Sequence, residues 1–470
     1  TMSELSFLLV NNPGLANEMT LDQSTSDQTF IGRTVSAASV RELVANFQFE
    51  GSTVSIGTVV QESGQTVNDF TNPVVYKVTN SSGDEQLYTV DITRFTGLPI
   101  IHLSTNNYVS IDSKDDYVPG SVTVDGGRGA PSSNSLAMKI RGRGNSTWMH
   151  PKKPFQMKLN DKAEMLGMPE DKKWLFIAEY SDKTLLRNTI TFEMGYMSHL
   201  AWTPQRRFAE VFINEEYNGT YNVTQKVEES DNRVALGDTG YLLEIDQLER
   251  LDPDDVYFRT SEFLINIKEP SIDWNDAEHT YITDLVNDFE TALFSANFDA
   301  VDIGYANYID MDSFIDWYLI NEITKNVDSV SWSSIYLNVI PGEKIHMGPL
   351  WDFDLAFGNV DYAESQYPEG WWVRYNPWYE RLFQDPAFVA KVKLRFAYFI
   401  ENETLILNKI DGYAEKLRWA HQENDAKWQT LGLYVWPNPV VFDTYQEEVD
   451  HMKSWYSARM DWLEIALNNL

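Results

Sequence analysis

The spacing of apolar residues changes along this chain of 470 residues, from a period of two to a period near 3.6, and one small fold cannot hold both patterns. Over the first hundred residues the apolar positions alternate in short runs at 5–10, 54–60, 74–78 and 86–92, punctuated by Gly, Asn and Ser. Asn80-Ser81-Ser82-Gly83-Asp84 between the last two runs is hairpin-turn chemistry. These residues predict a small β-sandwich of immunoglobulin-like type ending near 94–98, with residues 1–97 as one domain. Further strands are expected at 139–143, 155–159, 241–245 and 263–268, and a hairpin joins 208–213 to 220–226. A helix at 182–200 with Asp182 as its cap interrupts them. After Asp273 the 3.6-residue spacing takes over, at 276–293, 311–326, 388–402, 405–417 and 445–467, broken only by two short strands at 335–339 and 345–350. The fold class is therefore α+β. Residues 98–470 form the second unit, β-rich over about 98–272 and helical over about 273–470.

Charge narrows the chemistry. The formal net charge is −33, which repels nucleic acid and anionic membranes, and no apolar run approaches the roughly 20 residues needed to span a bilayer. Cysteine is absent, so thiol catalysis and thiolate metal sites are excluded. Seven histidines lack metal-ligand spacing, and no Ser/His/Asp string appears. Against this acidic background, basic residues concentrate over 139–207.

Three segments could carry chemistry. Trp351-Asp352-Phe353-Asp354-Leu355-Ala356-Phe357-Gly358-Asn359 places two carboxylates two residues apart. If extended, both face one side and can share a hard divalent cation; the alternative is a turn whose aspartates cap backbone amides. Asn321-Glu322-Ile323-Thr324-Lys325-Asn326-Val327-Asp328-Ser329 ends a long helix and leads into the two short strands. Helix, loop carboxylate, β-hairpin and second carboxylate is the order in which protein kinases place a base and a metal-holding aspartate, although the HRD and DFG strings are missing. Alone, Asp328 reads as a solvated cap. The third segment, Arg141-Gly142-Arg143-Gly144-Asn145-Ser146-Thr147-Trp148 with Lys152-Lys153-Pro154-Phe155-Gln156-Met157-Lys158, can offer backbone N–H groups and cations to phosphates, or serve as a surface ion-pair network. Lys183 and Arg187 add two cations four residues apart. The tryptophans at 371, 372, 378, 428 and 436 suit core packing or sugar stacking, with the 371–378 run expected to be partly exposed.

Taken together, Arg143-Gly144-Asn145-Ser146-Thr147-Trp148, Pro151-Lys152-Lys153-Pro154-Phe155, Leu166-Gly167-Met168-Pro169, the 180–188 segment, Gly240-Tyr241-Leu242-Leu243-Glu244-Ile245-Asp246 and the 351–358 segment resemble the CotH kinase family, the relatives of spore coat protein H. The resemblance runs from about Pro99 onward. It implies an atypical protein-kinase-like domain of two lobes that binds ATP with Mg²⁺ or Mn²⁺ and phosphorylates serine or threonine of a protein. Carried over by residue, Asp328 is the catalytic base, and Asp352 and Asp354 hold the metal. Lys153 or Lys158 meets the ATP phosphates, with Arg143 and Asn145 on the same side. Gln225, Lys226 and Glu228 form the hinge facing adenine. Lys183, Arg187 and Ser334 support the site, Ser334 lying where relatives often carry a metal-binding Asn. The first hundred residues resemble the modules that precede this domain in secreted bacterial proteins.

A secreted or surface location is expected, with spore coat as the alternative; the opening Thr-Met-Ser-Glu shows no signal peptide. The rival readings are a nucleotide-binding pseudokinase or polysaccharide-binding surface module, and a glycoside hydrolase using paired carboxylates.

Overall fold

A computed structural model describes residues 1–24 and 26–470. The period-two runs at the start become two facing sheets, one of three strands and one of six. Strands Val74–Thr79 and Glu85–Arg94 pair antiparallel across the expected turn, where the Asn80 side chain accepts from the N–H groups of Ser82 and Asp84 at 2.8 and 2.9 Å. Phe7, Phe30, Phe47, Phe70, Tyr76 and Tyr88 fill the space between the sheets. The first strand is Met2–Phe7 rather than 5–10. Buried Asn12 explains the early exit, because its amide donates to the carbonyls of Leu8 and Val44 and pulls the chain into a turn.

Seven strands then close into a barrel in the order Ile100–Thr105, Val118–Asp125, Ser133–Gly142, Phe155–Met165, Met168–Ile177, Glu216–Gln225 and Arg206–Ile213. Closure comes from parallel pairing of the first with the last. Inward residues such as Ile101, Val122, Ile140, Met157, Trp174 and Val223 pack the interior. Three of these strands lie outside the expected set: Ile100–Thr105, Val118–Asp125 and Met168–Ile177. In the last, Glu170-Asp171-Lys172-Lys173 masks a strand whose Met168, Trp174 and Phe176 are fully buried.

A five-stranded sheet follows, ordered Tyr257–Arg259, Leu264–Glu269, Tyr241–Asp246, Ile335–Val339, His346–Met347. The last strand is shorter than expected because Gly348, at φ 105°, and Pro349 turn the chain away. The helices Ala277–Phe294, Met311–Thr324, Pro386–Glu401, Glu403–Lys416 and Tyr445–Asn468 match the 3.6-residue spacing. They share one large core with the inner faces of the sheet. The helix expected over 182–200 is only Arg187–Tyr196. Asp182 does not cap it in the usual sense; its carboxylate accepts from the N–H groups of Thr184 and Arg187 and from the Arg187 guanidinium, ordering the loop before the helix. Trp378 is wholly buried, with Nε1 donating to Glu290 at 2.9 Å, while Trp371 and Trp372 are half-buried and Tyr375 is exposed, so the 371–378 run is partly exposed as expected. Among the described residues no helix is long and apolar enough to cross a membrane.

Candidate active site

An open cleft of about 670 Å³ lies where the mouth of the barrel faces the five-stranded sheet and the loops after Met311–Thr324 and before residue 360. That volume lies within the range of ligand pockets. Its lining carries charges of both signs, with Arg141, Arg143, Lys226 and Lys268 among the cations and Asp328, Asp352 and Asp354 among the carboxylates.

Asp328 sits in a single turn directly after the helix Met311–Thr324. Lys325, at φ 50°, ends that helix and is fixed by its Nζ donating to the carbonyls of Glu364, Tyr367 and Glu369 at 3.0, 2.8 and 2.5 Å. Asn326 joins the two acidic loops: its Oδ1 accepts from Asp328 N–H and its Nδ2 donates to the Asp352 carbonyl at 3.2 Å. The Asp352 loop is held from the other side as well, by Phe353 N–H donating to Asn188 Oδ1 at 2.8 Å and Arg187 Nε donating to the Ala356 carbonyl at 3.0 Å. Asp352 itself is at φ 70° and Ser334 at φ 59°, a left-handed backbone that costs energy outside glycine. Ser334 Oγ donates to Asp352 Oδ2 at 3.3 Å.

The three carboxylates crowd one another. Burial, then the neighbouring Asp352, raises Asp328 to about 7 and drives Asp354 well above the carboxylate range. None of the three is ion-paired with a basic side chain among the described residues; the only side-chain partner of Asp352 named above is a hydroxyl. Oxygen donors crowded in this way fit a hard divalent cation. Among the described residues, however, no group of three or more His, Cys, Asp or Glu side chains is arranged to hold a metal alone. Asp352 and Asp354, two residues apart, are the oxygen donors that would hold such a cation.

Half-buried Lys226 is pulled down to about 8 by desolvation and then by Lys173. The Arg143 guanidinium stands 5.7 Å over the Trp351 ring, close enough to feel Asp352 and Asp354, and buried Arg141 Nε has no partner among the described residues. Two further carboxylates in the lining are Glu179 and Glu244. Glu179 is raised to about 8 by burial and then Asp182, and among the described residues accepts from the neutral amides of Asn188 and Asn222. Glu244 is raised to about 7 by burial, with Ser334 N–H donating to it at 3.2 Å and Lys268 3.7 Å away.

Seven expected residues thus line the cleft: Asp328, Asp352, Asp354, Arg143, Asn145, Lys226 and Ser334. The others do not. Lys153 donates from Nζ to the Trp148 carbonyl at 2.6 Å, and Lys158 lies in the separate depression lined by Lys162 and Lys173. Strand alternation is the reason for Lys158, since Met157 and Leu159 on either side point into the barrel. Gln225 is buried and engaged with Gln205 and Asn232, while Glu228 pairs with Arg233 at 2.6 Å, so of the expected hinge only Lys226 reaches the cleft. Lys183 points to the Leu433 carbonyl, and Arg187 acts at one remove by holding the Ala356 loop. Missing from the expected set are Arg141, Glu179, Glu244 and Lys268. For Glu244 a signal existed: with Asp246 it forms an i, i+2 acidic pair within a buried apolar strand, where an unpaired carboxylate is costly.

Comparison with known proteins gives two family matches. A model described as CotH kinase protein matches residues 140–463, and one described as SGBP, N-terminal, matches residues 20–92. Among solved structures, one titled as a candidate glycoside hydrolase from Bacteroides thetaiotaomicron shares 13% identity, covering 60% of this chain and 86% of its own, at a TM-score of 0.16. At that score the likeness fixes neither fold nor activity. No curated protein matches the chain.

Proposed function

The chain belongs to the CotH kinase protein family, and from that premise we propose that its cleft binds a metal–nucleoside triphosphate, ATP with Mg²⁺ or Mn²⁺, and transfers the γ-phosphoryl group to an acceptor hydroxyl. Residues 98–470 would act as a kinase-like unit, the barrel and five-stranded sheet as the β-rich lobe and the helices as the second lobe, with residues 1–97 as a separate module. A serine or threonine of a protein is the acceptor that the family implies.

One observation carries the proposal: two loops bring Asp328, Asp352 and Asp354 into one cleft that Arg141, Arg143, Lys226 and Lys268 also line, with Arg143 close enough to feel the charges of Asp352 and Asp354. Arg141, Arg143, Asn145, Lys226 and the newly located Lys268 would bind the phosphates by charge-assisted hydrogen bonds. Asp352 and Asp354 would hold the cation, which when bound supplies neutralisation of the charge that builds on the phosphates. Asp328, raised to about 7, is suited to accept the acceptor's proton near neutrality. Lys325 and Asn326 would keep that carboxylate in place, so the contribution of the fold is mostly positioning. Incubation of the purified chain with γ-labelled ATP, Mn²⁺ and candidate acceptors tests the reading. Transfer that is lost in Asp328→Ala supports it, and transfer undiminished by that change, or none to any acceptor or to the chain itself, counts against it.

A second reading has one observation in its favour. The match of residues 20–92 to an SGBP N-terminal module points to carbohydrate binding at a surface, compatible with a protein that binds nucleotide without transferring phosphate. A kinetic assay separates the two readings, because both predict a thermal shift with ATP and metal but only the first predicts turnover.

A further inference from the structure

Beside the acidic wall the cleft opens onto aromatic rings that the phosphoryl-transfer reading leaves unused. Tyr362 and Trp436 are 53% and 49% exposed, yet they lie nearly parallel, with centroids 6.0 Å apart and an interplanar angle of 12°. The two rings are offset-stacked on one another, and their partial exposure leaves aromatic surface open at the cleft. Trp332, 46% exposed, lies in the same lining. An exposed hydrogen bond links the two segments: Tyr434 Oη donates to Asp361 at 2.6 Å, tying the loop that carries Tyr362 to the loop that carries Trp436. Tyr362 and Trp436 line the same cleft as Asp328 and Asp354, and Tyr362 is close enough to feel the charges of Asp328 and Asp354.

We infer that the acceptor hydroxyl taken by this chain belongs to a saccharide, stacked on Tyr362 and Trp436 so that one ring hydroxyl meets Asp328. The inference rests on the phosphoryl-transfer reading and names its acceptor class. Aromatic rings with one wet face offer area to the C–H face of a pyranose, while the amides and carboxylates around them suit its hydroxyls. A neutral sugar also suits an acidic protein, since it asks for no counter-charge. The match of residues 20–92 to a module of the surface glycan-binding type is an independent pointer to the same ligand class. In the step, the sugar oxygen forms a bond to the γ-phosphorus as the bond from that phosphorus to the β–γ bridging oxygen breaks. The hydroxyl proton passes to the Asp328 carboxylate, and the nucleoside diphosphate leaves with the bridging oxygen.

The test uses the full chain with γ-labelled ATP and Mn²⁺. One set of arms holds cello-, xylo-, manno-, laminari- and malto-hexaose, and another holds casein and a basic seryl peptide. The expected result is phosphomonoester label in at least one hexasaccharide. Its KM should rise about tenfold or more in the double variant Tyr362→Ala, Trp436→Ala, and stay within about threefold in Tyr362→Phe, Trp436→Phe, which keeps two rings and controls for misfolding. Label confined to casein or the peptide overturns the inference while leaving the phosphoryl-transfer reading standing. So does hexasaccharide labelling indifferent to the alanine variant, which would place sugar binding elsewhere. No label in any arm, with no ATP-dependent thermal shift, removes the underlying reading and the inference with it.

Discussion

Two groups of buried carboxylates in this molecule are treated in opposite ways. In the helical body Glu322 is 1% exposed and receives Arg459 at 2.6 Å, the N–H groups of Trp372 and Arg374 at 2.8 and 2.7 Å, and the Tyr318 hydroxyl at 3.1 Å. Asp316 is likewise met by Arg395, and Asp182 by Arg187. Every oxygen of Glu322 has a donor, and the matched charge fastens the helix Met311–Thr324 to Tyr445–Asn468. In the cleft, Asp328, a few residues beyond the end of that same helix, and Asp354 are desolvated beside another carboxylate, with no cation paired to them among the described residues. Matched burial builds a scaffold. Unmatched burial is unfavourable for an isolated protein, and a bound metal nucleotide would relieve it.

The largest effect that could break this contrast comes from Asp328→Asn. Phosphoryl transfer should fall by about 10²–10⁴-fold, the usual scale for loss of a general base. The same change should raise stability at neutral and alkaline pH. Because Asp328 is lifted from the ordinary 3.8 to about 7 in the folded chain, the native state holds its proton more tightly than the unfolded state. Wild-type stability therefore falls as pH rises from about 4 to 7 and levels off above, and the variant lacks this slope. Thermal unfolding from pH 4 to 8 checks it; a wild type that gains on the variant as pH rises would contradict the assignment.

Next in size is Arg459→Met, which strands Glu322 and should cost about 3–5 kcal/mol in denaturant unfolding, with Glu322→Gln added to it restoring part of the loss. Asp354→Asn in the cleft should do the reverse and raise the melting temperature. If both changes destabilise alike, the distinction between matched and unmatched carboxylates fails. The smallest effect sharpens the basic side. Lys226→Ala should raise the KM for ATP about tenfold, as for a lost charge-assisted bond, while Lys153→Ala should leave it within about twofold. A reversed pair of results would return the phosphate contact to Lys153.

Much of this arrangement is legible in the residues. The 3.6-residue spacing locates the long helices within a few positions, and the acid, hairpin, acid order singles out Asp328, Asp352 and Asp354 before any fold is known. What escapes is whatever depends on closure in three dimensions. Strand Met168–Ile177 carries four consecutive charges because it passes from barrel wall to open edge, and its burial is visible only once Trp174 and Phe176 meet the rest of the barrel. Lys153 and Lys158 sit in the right segment, yet strand alternation and a local carbonyl send them away from the cleft. Lys226 and Lys268 replace them from other strands, a substitution that spacing along the chain cannot reveal. Glu179 is hidden for a similar reason: its partners Asn188 and Asn222 come from a helix and a strand that meet only in the folded chain.

Isothermal titration of the full chain with ATP, in Mg²⁺ and again in EDTA, tests the central claim most directly. The account predicts saturable one-site binding in Mg²⁺, weakened by at least about tenfold in EDTA and in Asp352→Asn, Asp354→Asn, because on the proposed reading those carboxylates would share the cation with the phosphates. Binding of equal strength with and without metal, or no binding to the wild-type chain, would show that the crowded carboxylates do not serve a metal nucleotide.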